Sequence, residues 1–403
     1  MPPPAPPLPD DLVEEIFLRL PPDEPASLVR ASLASKPWLA ILTGAGFGGR
    51  YREFHGAPPM LGFLYSWLGG STREPDPVPP FIPTTKFGAH IHDVEDLGVL
   101  WNIHLDYDVV DCRHGRVLLC EIHDGPVVLV VWDPMTGRWS RLISPVDYSN
   151  KRAAVLCAVT GCDHRACHEG SFRVVFVATG NEDGDGHCVA YESVSMLETA
   201  EPTKPCFDRH MLQEEWSSSC YGCLDDLPDD ACLEPMPPVL VDEALHFMLT
   251  YTDDDSVAIL KYSLDSKCLS LIDAPLWEDD MARATILMHM NDGSLGFAMV
   301  DGLTLNLWSR QICSSGVEAW TQPIVINLKK FLPIQNPTQT LRVIGSVEGT
   351  HIIFVTTDLG IYEINLESLQ QKKIWKRGIY HALFPYMSFY NPPERVRADD
   401  VAH

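Results

Sequence analysis

Apolar residues follow two different spacings along this sequence. In the first 55 residues they recur every three or four positions, which is the spacing of amphipathic helices. After Gly56 they form short runs rich in aliphatic and aromatic residues, separated by Gly, Pro, Asn and Asp, as strands and turns are. The sequence therefore predicts a small helical unit followed by a larger β-rich region.

The helical unit is predicted to contain three helices. Asp10 and Asp11 begin the first, since a short acceptor side chain caps a helix start, and Pro21-Pro22 ends it because proline lacks a backbone N–H. The apolar side of this helix carries Leu12, Val13, Ile16, Phe17 and Leu20. The second helix carries Leu28, Val29 and Leu33, and the third, beside Pro37, carries Trp38, Leu39, Ile41 and Leu42.

A unit of about 50 residues does not remove enough of its own surface from water to be stable alone. Burying five or six of these apolar side chains gains roughly 1.5–3 kcal/mol each, before ordering costs are subtracted. The helices therefore pack either on another protein or on the larger domain of the same chain. Amphipathic spacing does not distinguish these two surfaces.

The residues of the helical unit resemble the F-box over about positions 8–55. The match in order and spacing rests on Leu8-Pro9-x-x-Leu12, Ile16, Arg19-Leu20-Pro21, Leu28-Val29-Arg30, Lys36-x-Trp38, Phe47, Arg50 and Tyr51. Two positions depart from the pattern: Ser35 stands where such motifs often carry Cys, and Pro37 precedes the tryptophan. The following Pro58-Pro59-Met60-Leu61-Gly62-Phe63-Leu64 resembles the segment after the F-box in a large plant family with F-box-associated C-terminal domains.

This resemblance implies a partner and a role. It implies docking on the Skp adaptor, and through it on the cullin and RING subunits of an SCF-type ubiquitin ligase, while the rest of the chain selects a protein substrate. The implied docking face consists of Leu8, Pro9, Leu12, Ile16, Leu20, Pro21, Leu28, Val29 and Trp38. Ser35 and Pro37 lie at the junction of the second and third helices and therefore bear on docking affinity.

The β-rich region contains a loose repeat. Buried strands are followed by aromatic outer strands, a turn, and a Trp or bulky apolar residue, roughly every 45–70 residues. The paired positions are Trp132 with Trp139, Tyr191 with Trp216, Tyr262 with Leu271, Trp308 with Trp320, and Tyr362 with Trp375. The clearest copy, 132–139, resembles the blade signature of F-box-associated, kelch-like β-propeller domains. An irregular pair of β-sandwiches is the alternative.

These patterns predict an α+β multidomain protein in which a three-helix F-box precedes an all-β, six- or seven-bladed propeller-like domain. The predicted boundaries are a disordered Pro-rich leader at 1–7, the F-box at 8–55, a linker at 56–80, the propeller at 81–390 and a disordered tail at 391–403. The longest insertions, around 199–238 and 314–340, are candidates for substrate contact or for disordered decoration.

Composition narrows the function. A net charge of −25 argues against nucleic acid as the main ligand, because phosphate contacts need a basic surface. No uncharged apolar run reaches about 18 residues, so no membrane span is expected. The start lacks a basic segment followed by an apolar core, and the 12 cysteines are scattered, so a reduced chain in the cytoplasm, the nucleus or both is expected.

Four short motifs suggest other chemistry. Gly44–Gly49 matches G-x-G-x-x-G but follows helices, so it is interpreted as a turn between helices and not as a nucleotide site. Asn181–Gly186 with Glu192 has the oxygen spacing of a calcium loop, but it starts with Asn and is flanked by predicted strands, so it is interpreted as a polar hairpin tip. A possible zinc cluster comprises Cys157, Cys162, His164, Cys167 and His168. Cys220-Tyr221-Gly222-Cys223 has redox-motif spacing but no βαβ context.

The sequence therefore predicts a non-catalytic substrate adaptor of a ubiquitin ligase. No catalytic residue, cofactor or metal ligand is assigned. The alternative is a propeller enzyme or metal-binding protein whose N-terminal helices are only a structural cap.

Overall fold

The structure is a computed structural model of the 403-residue chain. It describes residues 8–44, 46–67, 81–84, 106–122, 127–135, 137–144, 146, 150–162, 164, 170–182, 185–195, 216, 224–225, 227–228, 230–254, 256–275, 285–312, 318–321, 323–336 and 341–390. The predicted leader and tail lie outside the described residues. No helix in these ranges is long and apolar enough to cross a membrane.

Four helices form the N-terminal unit. They are α1 (Asp10–Leu18), α2 (Ala26–Ala34), α3 (Lys36–Leu42) and α4 (Phe47–His55). The sequence predicted three, and the turn assigned to 44–49 is shorter than expected because Phe47, Gly48 and Gly49 form the first turn of α4. This helix was missed since its only buried apolar residues are Phe47 and Tyr51, four positions apart.

The two positions that depart from the F-box pattern begin α3. The Ser35 hydroxyl accepts a hydrogen bond from the Trp38 backbone N–H at 3.3 Å, which is an N-cap contact. Pro37 lies in the first turn, where its missing N–H removes no helical hydrogen bond. Ser35 and Pro37 are therefore compatible with the helical fold.

The helices share one core with the far end of the chain. This core comprises Val13, Phe17, Leu18, Leu28, Ala31, Leu42, Phe47 and Tyr51 together with Phe389 and Tyr390. The Tyr51 and Phe389 rings meet edge to face at 6.1 Å, and the Tyr51 hydroxyl donates to the Leu20 carbonyl at 2.8 Å. The helical unit is therefore joined to the β-domain by apolar packing as well as by the chain.

Six antiparallel sheets make the β-domain a six-bladed propeller. Blade 1 contains β1 (Met60–Trp67), β2 (Ile82–Pro83) and β25 (Tyr380–Met387). Blade 2 contains β3 (Asp106–Arg113), β4 (Arg116–Ile122), β5 (Val128–Trp132) and β6 (Trp139–Ile143). Blade 3 contains β7 (Asn150–Cys157), β8 (Phe172–Glu182), β9 (Asp185–Ser195) and β10 (Leu224–Asp225).

The remaining three blades follow in chain order. Blade 4 contains β11 (Ala231–Leu233), β12 (Val239–Val241), β13 (Ala244–Tyr251), β14 (Val257–Ser263) and β15 (Leu269–Asp273). Blade 5 contains β16 (Thr285–His289), β17 (Leu295–Asp301), β18 (Thr304–Ile312), β19 (Glu318–Trp320) and β20 (Ile324–Asn327). Blade 6 contains β21 (Arg342–Ser346), β22 (Ile352–Thr357), β23 (Gly360–Asn365) and β24 (Gln371–Trp375).

The ring closes in blade 1, where the first strand of the domain, β1, pairs with the last, β25. The predicted linker 56–80 is therefore wrong over Met60–Trp67, which is a strand of this blade. Its apolar run is buried, with Phe63 and Leu64 fully covered, so alternation gave no strand signal there. Inner strands of successive blades pack side by side around the ring, as β3 does on β7 and β16 on β21.

One turn recurs in three blades. In blade 2 the Asp133 N–H donates to the Arg138 carbonyl, and Gly137, with φ of 68°, occupies the left-handed position. Blades 4 and 6 repeat these contacts at 263–268 and 365–370, with Lys267 and Leu369 in the left-handed position. Of the residues that mark the repeat, Trp132 and Trp139 are cross-strand partners in blade 2. In blade 6 Trp375 lies opposite Ile361, the neighbour of Tyr362.

The described parts of the two predicted insertions are built into blades. The described part of 199–238 contains β10 and β11, and that of 314–340 contains β19, β20 and a 3-10 turn at Leu328–Lys330. Leu233 and Leu328 are fully buried, so these segments belong to the core. They were interpreted as loops because their strands have only two to four residues each, too few for a periodic signal.

Candidate docking surface and central cavity

Helix α1 presents two apolar sides. Its inner side, with Val13 and Phe17, is buried in the shared core, whereas Leu12 and Ile16 on its other side are each 51% exposed. Leu8, two residues before the helix begins, is 57% exposed. We call this exposed row, together with Trp38 of α3, the outer face. Isolated exposed apolar side chains are ordinary, whereas several close together are typical of surfaces that contact another protein, so the outer face is a candidate docking surface.

The outer face is held in place by contacts among the helices. The Trp38 ring meets the Phe17 ring edge to face at 5.4 Å, so Trp38 is supported from below while 37% of it remains exposed. An Arg50–Glu14 ion pair joins α4 to α1. The outer face is therefore carried by a packed scaffold.

The structure separates the nine predicted docking residues into three groups. Leu8, Pro9, Leu12, Ile16, Pro21 and Trp38 are exposed. Leu20 and Val29 are half-buried against the core. Leu28 is 1% exposed and fills the core, so it supports the helices and presents no surface in this arrangement. Two apolar residues outside the predicted docking set are also exposed on the same unit: Leu33, which was predicted only to lie on the apolar side of the second helix, at 68%, and Phe54 at 54%.

A cavity of about 750 Å³ opens at the end of the ring that carries the helices. Its wall is formed by the C-terminal ends of β3, β16, β21 and β25, by residues 236–240 of blade 4, and by residues 56–58, which join α4 to β1. The helical unit and the mouth of the cavity are therefore neighbours.

Arg113 lies in the wall of this cavity and connects several blades. Its guanidinium pairs with Asp111 at 2.9 Å and with Glu348 of blade 6 at 3.0 and 3.1 Å, and it donates to the Pro238 carbonyl of blade 4 at 2.9 Å. Asp111 also accepts the backbone N–H of Val155 in blade 3 at 2.9 Å. This network joins blades 2, 3, 4 and 6.

Charges in the network are shifted by burial and by pairing. Burial raises the pKa of Asp111 to about 6, although Arg113 opposes the shift. Burial also raises the pKa of Glu348, which is partly open to the cavity. The Arg113 charge and the hydrogen bonds that Glu348 accepts lower it by more, so this pKa lies below its ordinary value. The guanidinium of Arg113 is engaged by two carboxylates and a backbone carbonyl. This favours a structural role, in which Arg113 holds the blades together as a clamp, over a role in a reactive site.

The short motifs have different outcomes. Cys157, Cys162 and His164 are brought together, with their ligand atoms within 4.8 Å of one another, while Cys167 and His168 lie outside the described residues. Asn181 and Gly186 face each other near the tip of the β8–β9 hairpin, but Glu192 lies six residues along β9, about 20 Å away. Glu192 instead accepts hydrogen bonds from Tyr262 and Lys267, so it does not complete a calcium loop.

The other two motifs gain no support as sites. The Gly44–Gly49 segment runs from the end of α3 into the first turn of α4, and the described residues before it, 8–44, contain no strand, so it has no phosphate-binding context. Cys220 and Cys223 lie outside the described residues.

Sequence reasoning missed the two features that position this end of the molecule. Phe389 and Tyr390 join the helices to the propeller, and nothing in the local sequence around them indicates a partner more than 330 positions away. Arg113 was missed because a single arginine at a strand end is ordinary. The Asp-x-Arg spacing, which places both charges on one face of a strand, was the available signal.

Comparison with protein families matches residues 7–47 to the F-box domain. Comparison with curated proteins found no match. Similar solved structures include a luciferin-regenerating enzyme, at 11% identity and a TM-score of 0.35, over 70% of this chain and 76% of that one. Another is a Bombyx mori GH32 β-fructofuranosidase, at 9% identity and a TM-score of 0.33, over 66% of this chain and 61% of that one. A third is an oligogalacturonate lyase in complex with manganese, at 8% identity and a TM-score of 0.31, over 67% of this chain and 77% of that one. With TM-scores below 0.5, these likenesses do not bear on fold or function.

The family match covers the residues that form the outer face. F-box domains generally bind Skp adaptors, and an F-box joined to a propeller fits a substrate adaptor of an SCF complex. The plant-type and kelch-like details of the resemblance stay predictions. The chain contains an F-box domain at its N-terminus, followed by an all-β domain arranged as a six-bladed propeller.

Proposed function

We propose that this protein is the substrate-recognition adaptor of an SCF-type cullin-RING ubiquitin ligase. The observation that carries the proposal is the F-box at 7–47, whose outer face stays exposed although its inner face is already packed on the propeller. An apolar row left exposed after the chain has completed its own core is available to a second protein. The partner we assign to it is the Skp adaptor.

The energetics of the outer face suit a specific protein contact. Leu8, Leu12, Ile16 and Trp38 each keep between a third and three-fifths of their surface in water. Covering such a side chain completely gains roughly 1 kcal/mol, about half the value for a fully exposed one. Four of them, with Leu33 and Phe54 at the margin, supply several kcal/mol toward the cost of association.

Rigid attachment of the F-box gives the propeller a defined position. Phe389 and Tyr390 lie between the helices and the ring, so a subunit bound to the outer face holds the propeller in a fixed orientation. A substrate on the propeller then stays close to the conjugating enzyme that the RING subunit recruits, which raises its effective concentration. In this proposal the chain contributes proximity and no catalytic residue, in the cytoplasm, the nucleus or both.

The substrate is an unidentified protein, and two surfaces are candidates for it. One is the mouth of the central cavity beside the helices. The other is the outer edge of blade 5, where Ile312, Ile324 and Val325 are 72%, 61% and 62% exposed, within or next to the predicted 314–340 segment. Both lie on the rigid ring, as recognition surfaces of propellers do.

The test compares the intact protein with a variant whose outer face is changed. Tagged wild-type chain is expected to co-purify with Skp, cullin and RING subunits, and Leu12→Asp with Ile16→Asp is expected to lose all three while retaining propeller-bound proteins. Deleting the first 55 residues is a poorer control, because it exposes Phe389 and Tyr390. Equal recovery of the ligase subunits with both proteins would overturn the proposal.

The alternative function is a propeller enzyme or metal-binding protein with a helical cap. Packing of the helices on Phe389 favours a cap, and the cluster of Cys157, Cys162 and His164 favours a metal. A cap alone leaves the outer face unexplained. Loss of ligase co-purification in the outer-face variant would favour the adaptor over the cap.

A further inference from the structure

The loop after β7 gathers three side chains that suit a soft metal ion. The sulfur atoms of Cys157 and Cys162 and a ring nitrogen of His164 lie within 4.8 Å of one another. Cys157 ends β7, an inner strand of blade 3, and the other two residues follow five and seven positions later. The three ligands therefore come from one short turn anchored at one end by the sheet.

Backbone contacts curl this turn so that the side chains converge. The Cys162 N–H donates to the Val159 carbonyl at 3.3 Å, and Gly161 and His164 have φ of 70° and 59°, in the left-handed region. Histidine adopts this conformation far less readily than glycine, so the conformation at His164 is a constraint held by its surroundings. Its ring stacks on that of His114 at 4.4 Å, which fixes its orientation.

A backbone contact supports one of the sulfur atoms. The Val159 N–H donates to Cys157 Sγ at 3.4 Å. Hydrogen bonds of this kind orient ligand atoms in metal sites. The arrangement therefore shows a supporting contact in addition to the three donors.

The donor set identifies the metal class. Two thiolates and one imidazole are soft and borderline ligands, which select Zn²⁺ and disfavour Mg²⁺ or Ca²⁺. With bonds of about 2.3 Å to sulfur and about 2.0 Å to nitrogen, tetrahedral ligand atoms lie roughly 3.5–3.8 Å apart. Small side-chain rotations bring these three atoms from within 4.8 Å to that spacing.

We propose that Cys157, Cys162 and His164 bind one Zn²⁺ ion at the rim of the central cavity. His164 also lines the cavity, so the ion would fasten the turn beside its mouth and leave a fourth position for water or another ligand. This site is independent of the proposed adaptor function.

The experiment measures zinc binding by the full-length chain. Protein purified with reductant and freed of metal is titrated with Zn²⁺ against a chromophoric chelator, and Co²⁺ is used separately to detect thiolate coordination by its charge-transfer absorption. One equivalent of Zn²⁺ is expected. Cys157→Ser, Cys162→Ser and His164→Ala are each expected to weaken binding roughly a hundredfold or more, since even loss of a supporting contact costs 10–100-fold.

Cys268→Ser is the matched control, because Cys268 is an exposed cysteine in the β14–β15 turn. This substitution is expected to leave zinc binding unchanged. His164 is exposed, so His164→Ala is expected to fold even where a cysteine variant does not. Uptake of less than half an equivalent by the wild type would overturn the proposal. So would unchanged affinity in the three variants, or a Cys157–Cys162 disulfide whose reduction restores no zinc binding.

Discussion

Replacing Leu12 and Ile16 together by aspartate is expected to weaken binding of the full-length protein to the Skp adaptor about a thousandfold or more. Each side chain is 51% exposed, so covering it in a complex gains roughly 1 kcal/mol, and the double variant loses roughly 2 kcal/mol of apolar contact. Two unpaired polar groups buried at the contact cost about 1–3 kcal/mol each. The sum, about 4–8 kcal/mol, corresponds to about three to six factors of ten in the dissociation constant.

Isothermal titration calorimetry with purified Skp adaptor measures this change. Leu12 and Ile16 were chosen because substitution there leaves the core intact, whereas Leu20 and Leu28 contribute to it. Ile312→Asp with Val325→Asp is the control, since both residues are at least as exposed but lie in blade 5. A double variant that binds within a few-fold of the wild type would refute the reasoning, as would a control that loses affinity equally.

Three further predictions concern the propeller and its contact with the helices. Phe389→Ala leaves a cavity in the shared core and is expected to destabilise the protein by about 3–5 kcal/mol in urea unfolding. The helices are expected to loosen, which limited proteolysis detects as faster cleavage near residue 56. Unchanged proteolysis would contradict the claim that Phe389 holds the helices on the propeller. Arg113→Ala is expected to cost about 3–5 kcal/mol, because the Asp111 carboxylate is left buried without its partner, and a loss below 1 kcal/mol would contradict the clamp. Burial lowers the pKa of His246 to about 4, below its ordinary value of 6.5. The neutral ring therefore contributes stability that is fully present above pH 6.5 and is lost as the pH falls toward 4. His246→Gln is expected to flatten this part of the curve of unfolding free energy against pH.

The sequence predicted the class of both domains because each rests on a local signal. Leu8 to Trp38 carry helical spacing and a specific order of residues, and the 132–139 segment forms a strand–turn–strand unit stabilised by its own hydrogen bonds. Signals of this kind are read without knowing the rest of the chain. The repeated turn was only partly recognised, since its left-handed position is Gly137 in one blade but Lys267 in another.

The remainder depends on contacts between distant parts of the chain. The pairing of β1 with β25 and the packing of Tyr51 on Phe389 join positions more than 300 residues apart, and neither partner carries a local mark of the other. Leu28 shows the same limit at the candidate site. Its helical spacing indicated an apolar face, but only packing shows that it faces inward while Ile16 faces outward.

The most direct test of the account is size-exclusion chromatography with light scattering of full-length protein mixed with purified Skp adaptor. The account predicts a single species with the mass of a one-to-one complex, formed by the wild type and not by the Leu12→Asp/Ile16→Asp variant. Two separate species for the wild type, at concentrations where both proteins remain folded, would contradict the claim that the outer face of the helices is a docking surface for the Skp adaptor.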